Sequence, residues 1–262
     1  MSNLLKEERD SPTGGHIIVL TLNRPEALNS FSRALLSEME EAVDSIYADR
    51  TARCVILTGN GRAFCTGADL KERATMNEGE VKLFLRKIGQ LFGRLENLPV
   101  PVIAAINGFA LGGGLEIALC CDLRLASRSA VIGLTETSLG IIPGAGGTQR
   151  LSRLIGLPGA KELIFTARKI SAEKALQMGI LSDVVGDEEL LDGALKLAFE
   201  ICSNAPVALA QAKFALDHGY DTDLATGIAI ESKAYEITIP TKDRTEALEA
   251  FKAKRRPNFT GM

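Results

Sequence analysis

The chain has 262 residues, enough for one large domain or a domain with an appendage. With 46% apolar and 24% charged residues it has ordinary globular proportions, and a formal net charge of -3 argues against general affinity for nucleic acid or anionic membrane. Five cysteines, odd in number and without C-x-x-C spacing, indicate neither a disulfide framework nor a zinc site. No apolar run reaches the roughly 18 residues of a membrane helix. Residues 1–12 are polar and acidic, unlike a secretory or arginine-rich transit peptide, so a reducing compartment is expected: the cytoplasm, or the mitochondrial matrix for a processed form.

Residues 16–22 are rich in β-branched side chains and predict a strand that stops at Pro25. A helix is expected over 32–47, a second strand over 53–58, and a loop through Phe64, Cys65, Thr66, Gly67, Ala68 and Asp69. Helical apolar spacing covers 80–95, and a third strand, 102–106, follows Pro99 and Pro101. The run after Gly112, Gly113 and Gly114 reads as a buried helix with Glu116 in its first turn. There the helix dipole favours an ionised carboxylate. Strand-like pairs at 122–126 and 130–133 precede Glu136 and the turn 143–147. Beyond Thr148 the pattern turns helical, over 159–166, 171–178, 188–203, 207–218, 223–237 and 241–254, and the turn at Asn204, Ala205 and Pro206 is the expected boundary between an α/β body and a helical module.

The three strands align with one another. Setting Ile18 against Val55 matches Leu20-Thr21 with Leu57-Thr58 and Asn23 with Asn60; setting Val55 against Val102 matches Asn60-Gly61 with Asn107-Gly108, Ala63 with Ala110 and Asp69 with Glu116. Either any buried strand followed by a turn looks like this, or a strand-turn-helix unit repeats and its turns line one site, with the Gly67-Ala68 and Gly113-Gly114 loops as neighbours.

Phosphate-loop and dinucleotide fingerprints are missing, no G-x-S-x-G elbow occurs, and two histidines, His16 and His218, offer little for a triad or metal cluster. Carboxylates remain for acid and base work. Two of them beside backbone donors suit water addition or proton movement in a substrate whose carbonyl becomes an enolate. The residues alone also permit plainer roles: Glu116 as a first-turn helix acid, Glu136 as a solvated loop acid, Gly113 and Gly114 for close packing, and Asp69 as a cap on residues 70–73.

Residues 23–29, 64–71, 107–122 and 140–150 together resemble the enoyl-CoA hydratase (crotonase) family, in order and over nearly the whole chain. That resemblance implies an α/β fold, a crotonase-like spiral of ββα units over residues 1–204 with a C-terminal helical trimerisation module over 205–262. It implies a hydro-lyase that adds water across the 2,3 double bond of a 2-enoyl-CoA to give a 3-hydroxyacyl-CoA, as in fatty-acid β-oxidation. By the same carry-over Glu116 and Glu136 are the catalytic glutamates, and the N–H groups of Ala68 and Gly113 form an oxyanion hole. Glu26, Ala27, Leu28, Ala68, Asp69, Leu70, Lys71 and Gly113 contact coenzyme A, which belongs to the substrate; no separate cofactor, metal, nucleic acid or membrane partner is implied. A homotrimer, or a hexamer of paired trimers, is expected.

Within the family, residues 67–74, 161–165 and 238–244 are most similar to 3-methylglutaconyl-CoA hydratase, an enzyme of leucine breakdown that also binds AU-rich RNA. A departure counts against RNA: the first helix carries Glu38, Glu40, Glu41, Asp44 and Asp49 against Arg33 and Arg50. Lys252, Lys254, Arg255 and Arg256 are either a solvated helix end or, by resemblance, a hold on coenzyme A phosphates. Leu209, Phe214, Leu216, Leu224, Ile228 and Ile230 either complete a core or face partner subunits.

Overall fold

In the computed structural model, which describes residues 2–262, the β-branched run forms strand β2 (His16–Leu22) at its expected limits. An antiparallel edge strand β1 (Leu4–Asp10) precedes it. Sequence patterning misses β1 because only Leu4 is buried and the rest is charged or exposed, the composition with which an edge strand discourages further pairing. After helix α1 (Arg33–Ala48), capped by the Ser32 side chain, come β3 (Ala52–Gly59) and the short β4 (Ala63–Cys65). The expected loop through Phe64 and Cys65 is therefore strand, too short to show a period. A four-residue helix α2 (Leu70–Arg73), capped by Asp69, leads to α3 (Glu78–Glu96).

The pattern repeats with β5 (Val102–Ile106), β6 (Phe109–Leu111) and α4 (Gly113–Leu119), then with β7 (Leu123–Ser127), β8 (Val131–Gly133) and α5 (Gly147–Thr166). Helix α5 begins well before the expected residue 159. Gly156 leaves helical geometry at φ 77°, two residues before Pro158, so two helical stretches meet there and the expected helix covers only the second. A strand β9 (Ile170–Ser171), helix α6 (Ala172–Gln177) and strand β10 (Asp183–Val185) close the body.

Each ββα unit contributes one strand to each of two sheets. The larger runs β1-β2-β3-β5-β7-β10, parallel beyond its first pair; the smaller runs β4-β6-β8-β9. The alignment of the three strands coincides with the register of pairing: Ile18 lies beside Val55, Leu20 beside Leu57, and Val55 beside Val102. In the smaller sheet Ala63 pairs with Phe109 rather than Ala110, because a bulge intervenes before Cys65 meets Ala110. The turns stack too, with Asn60 Nδ2 donating to Asn23 Oδ1 at 2.9 Å and Asn107 Nδ2 to Gly61 O at 2.8 Å.

Alternation puts Ile18, Leu20, Val55, Leu57, Val102 and Ala104 into the main core. Ile17, Val19, Ile56, Ile103 and Ala105 face α7 (Leu190–Cys202) through Leu190, Ala194 and Ala198. Both sheet faces are covered, hence the continuous apolar strands. Helices α8 (Pro206–Tyr220), α9 (Leu224–Thr238) and α10 (Lys242–Ala253) follow. The ion pair of Lys213 with Asp122, at 2.8 Å, anchors α8 to the start of β7. The apolar faces here do not complete a core: Leu216 is 72% and Leu224 79% exposed, and an apolar groove of about 790 Å³ runs between α8 and α9. Among the described residues no helix is long and apolar enough to cross a membrane.

Candidate active site

Two backbone loops from successive units meet. Phe31 and Ala68 form an isolated parallel bridge, in which Phe31 N–H donates to Gly67 O at 2.8 Å and Asp69 N–H to Phe31 O at 3.0 Å. Both bonds flank Ala68, so its own N–H points the other way and meets no acceptor among the described residues. Gly113 is the first residue of α4, where a helix leaves its N–H groups unpaired. A Cβ on Gly67 would stand 3.0 Å from Gly113 N, and one on Gly113 would stand 3.2 Å from Gly67 Cα. The Gly67-Ala68 and Gly113 loops are thus neighbours, as the repeat predicted. Gly114 lets α4 approach β4 so closely that a Cβ would overlap the Cys65 carbonyl.

Glu116 is 3% exposed and turns toward the segment before α5, where its Oε1 accepts from Ala145 N–H and Gly147 N–H, both at 2.8 Å. Helix position alone predicted a freely ionised carboxylate. Burial outweighs it and pushes the pKa up, with the Gly147 and Ala145 N–H groups and the charge of Arg150 opposing.

Glu136 opens a short 3-10 turn, Glu136–Leu139, after β8. It is buried rather than a solvated loop acid, and its Oε2 has no hydrogen-bond partner among the described residues. Burial pushes its pKa up to about 7; its own N–H opposes the rise, and the nearby charge of Glu116 adds to it. A Cβ on Gly112 would lie 3.1 Å from Glu136 Oε1, so the triple glycine also makes room for this acid.

The surface residues implicated by resemblance also converge. Glu26 and Ala27 lie in a 3-10 turn, Pro25–Ala27, followed by Leu28 and Asn29 at φ 51° and 56°. Thr66 N–H donates to Leu28 O at 3.2 Å, and Arg24 pairs with Asp69 at 3.0 Å. Leu70 is 59% exposed, and Lys71 and Glu26 are also open to solvent.

Sequence reasoning missed the residues that hold these loops. Asn29 is fully buried, and its Nδ2 donates to Asn60 O at 2.9 Å and Ala63 O at 2.7 Å; an asparagine just after a turn proline was the only local hint. Arg150 and Glu96, whose fork supports the 143–147 turn, gave no hint, being 54 positions apart. At the basic end, Arg255 is engaged by Glu246 through bonds of 2.6 and 2.9 Å and is not free for a phosphate, whereas Lys252, Lys254 and Arg256 are exposed.

With this geometry in hand, comparison with known proteins gives a consistent result. The family model described as enoyl-CoA hydratase/isomerase matches residues 13–262. The "Putative enoyl-CoA hydratase/isomerase YngF" of Bacillus subtilis is 53% identical over 94% of this chain and 95% of its own length. Human mitochondrial methylglutaconyl-CoA hydratase is 49% identical over 94% of this chain and 74% of that protein. The expected special likeness to the latter enzyme thus stands only at the level of the family, since the bacterial relative is more similar. A crystal structure of enoyl-CoA hydratase from Bacillus anthracis superposes with a TM-score of 0.95 at 49% identity, covering 99% of this chain and 100% of that one. Fold, ββα repeat and full-length similarity agree: the chain is an enzyme, a hydro-lyase of the crotonase fold, and belongs to the enoyl-CoA hydratase/isomerase family.

Proposed function

We propose that the protein hydrates a 2-enoyl-CoA to the 3-hydroxyacyl-CoA. The observation that carries this is a pair of buried glutamates in unequal surroundings beside two unpaired backbone N–H groups. The N–H groups of Ala68 and Gly113 hold the thioester oxygen and draw charge from the β carbon. Glu116, with two donors on one oxygen, is the acid of the pair that better tolerates a charge; it takes a proton from water as the water oxygen bonds to the β carbon. The double-bond electrons pass to the α carbon and the thioester oxygen. Glu136, half protonated near pH 7, supplies the proton that completes the α carbon. Coenzyme A lies along Glu26, Ala27 and Leu28 and along Ala68 to Lys71, while the exposed Leu139, Ile141 and Ile142 just beyond Glu136 offer an apolar side for the acyl chain.

The test is loss of conjugated-thioester absorbance with crotonyl-CoA and, separately, 3-methylglutaconyl-CoA. Glu116→Gln and Glu136→Gln should each lower the rate about a hundredfold or more while still binding acyl-CoA. Near-normal turnover in either variant removes that residue's role. The 49% identity to methylglutaconyl-CoA hydratase supports a second reading, hydration of that branched acid in leucine breakdown, which preference for it over crotonyl-CoA would establish.

Residues 205–262 are proposed to assemble the chain into a trimer, or a hexamer of two trimers, through the exposed faces of α8 to α10. RNA is not a proposed partner. In α1, Glu38 is hydrogen-bonded to Asn3 and Leu4, Glu40 pairs with Lys87 at 2.9 Å and Asp44 pairs with Arg94, so this helix presents no unbalanced basic stripe. The five cysteines are all free and buried, which suits a reducing compartment.

A further inference from the structure

The turn that supplies both donors to Glu116 is itself held from behind. Arg150 lies in the first turn of α5, and its Nη1 donates to Ala145 O at 2.9 Å. Its Nε and Nη2 form a fork on Glu96 Oε1 and Oε2 at 2.7 and 2.6 Å. Glu96 is the last residue of α3, so the fork ties the end of one repeat unit's helix to the start of another's. The peptide groups of Ala145 are therefore fixed on both sides, the carbonyl by Arg150 and the N–H by Glu116. Gly146, at φ 104°, lies between, where a Cβ would overlap Arg150 Nη1. A planar guanidinium held by three bonds has no rotational freedom left, unlike an ammonium at the same place.

We infer that Arg150, clamped by Glu96, is a positioning residue: it aims the Ala145 and Gly147 N–H groups at Glu116 and places a positive charge behind them. The inference rests on Glu116 being the base of the proposed reaction. The titratable and charged groups around Glu116 are Arg150 from α5, Glu136 from the turn after β8, Cys120 at the end of α4, and Glu96 from α3 beyond the guanidinium. Arg150 is the cation among them. Its charge opposes the burial that favours protonated Glu116, and its removal leaves that burial less opposed.

Charge and geometry can be separated with three variants, each followed by kcat, KM, the pH profile of kcat/KM on crotonyl-CoA, and thermal melting. Arg150→Met removes both contributions. It should lower kcat about tenfold or more with KM within about threefold, and move the acid limb of the profile to higher pH. Arg150→Lys keeps the charge without the fork and should lose kcat while the limb stays near its wild-type position. Glu96→Gln keeps the guanidinium but loosens it, and should also lose kcat with no upward displacement of the limb.

A wild-type acid limb in folded Arg150→Met, or an equal displacement in Arg150→Lys, overturns the inference. Should Arg150→Met fail to fold, the other two decide: kcat within about twofold of wild type in both overturns it. Inactivity of the wild-type protein, or full activity of Glu116→Gln, would count against the hydratase reading instead.

Discussion

Glu136 carries one carboxylate oxygen into the interior without a partner, and Glu116 carries one that accepts two N–H bonds; this difference is the basis of the separate roles proposed for two otherwise identical side chains. It also makes Glu136 a measurable liability. Its folded pKa of about 7 stands above the ordinary 4.5, so the folded state binds the proton more tightly than the unfolded chain. The stabilisation is full below the unfolded pKa and disappears as pH rises through about 7. Glu136→Gln should therefore melt at nearly the wild-type temperature at pH 5 and above it at pH 8, a gain of at most roughly 3 kcal/mol. Melting curves of both proteins at the two pH values test this. A gain of equal size at pH 5 and pH 8 would mean that ionisation of the buried carboxyl is not its source. Because the two glutamates interact, the apparent values belong to the pair.

At the scale of the element, α4 is placed by what its glycines lack. A methyl group at Gly114 meets the Cys65 carbonyl, which is backbone and cannot swing aside. Gly114→Ala is expected to cost about 2 kcal/mol or more and to lower kcat, because the shift it forces displaces the Gly113 N–H as well. Gly89 is the control: it lies inside α3, exposed, with nothing within 4 Å of its would-be Cβ. Gly89→Ala should raise stability by about 0.5–1 kcal/mol and leave turnover unchanged. Chemical denaturation and crotonyl-CoA kinetics on both variants are the measurement. If both behave alike, close approach of α4 to β4 is not what requires the glycine.

The whole molecule shows an asymmetry of finish. The ββα body buries most of its large apolar side chains, although Tyr47, Ile142 and Phe165 stay exposed, whereas α8, α9 and α10 bury none of theirs and leave Leu216, Tyr220, Leu224, Tyr235 and Phe251 more than 60% exposed. A groove of about 790 Å³ lined by such residues is the kind of apolar surface that marks an interaction site, and the proposed trimer is its expected cover. Light scattering should give the mass of a trimer or hexamer of the 28.0 kDa chain. Leu216→Glu with Ile228→Glu should reduce that mass while keeping the circular dichroism of the folded body. A monomeric wild-type protein would reject the proposed assembly.

Much of this architecture was legible in the chain because its signals are local or repeated. The strands β2, β3 and β5 stand out as apolar runs, and aligning them with one another also yields their parallel register, since like positions of successive turns of a spiral lie side by side. The helix at the triple glycine and the Asp69 cap were likewise readable, and family resemblance singled out Glu116, Glu136, Ala68 and Gly113. Tertiary structure alone decided whatever depends on partners far along the chain. The charged edge strand β1 exists because β2 offers it hydrogen bonds, and the fork of Glu96 on Arg150 exists because two helix ends meet. It also decided electrostatics: a first-turn position argued for an ionised Glu116, but burial moves a carboxyl's pKa the other way, and burial is a property of the packed molecule that no stretch of sequence displays.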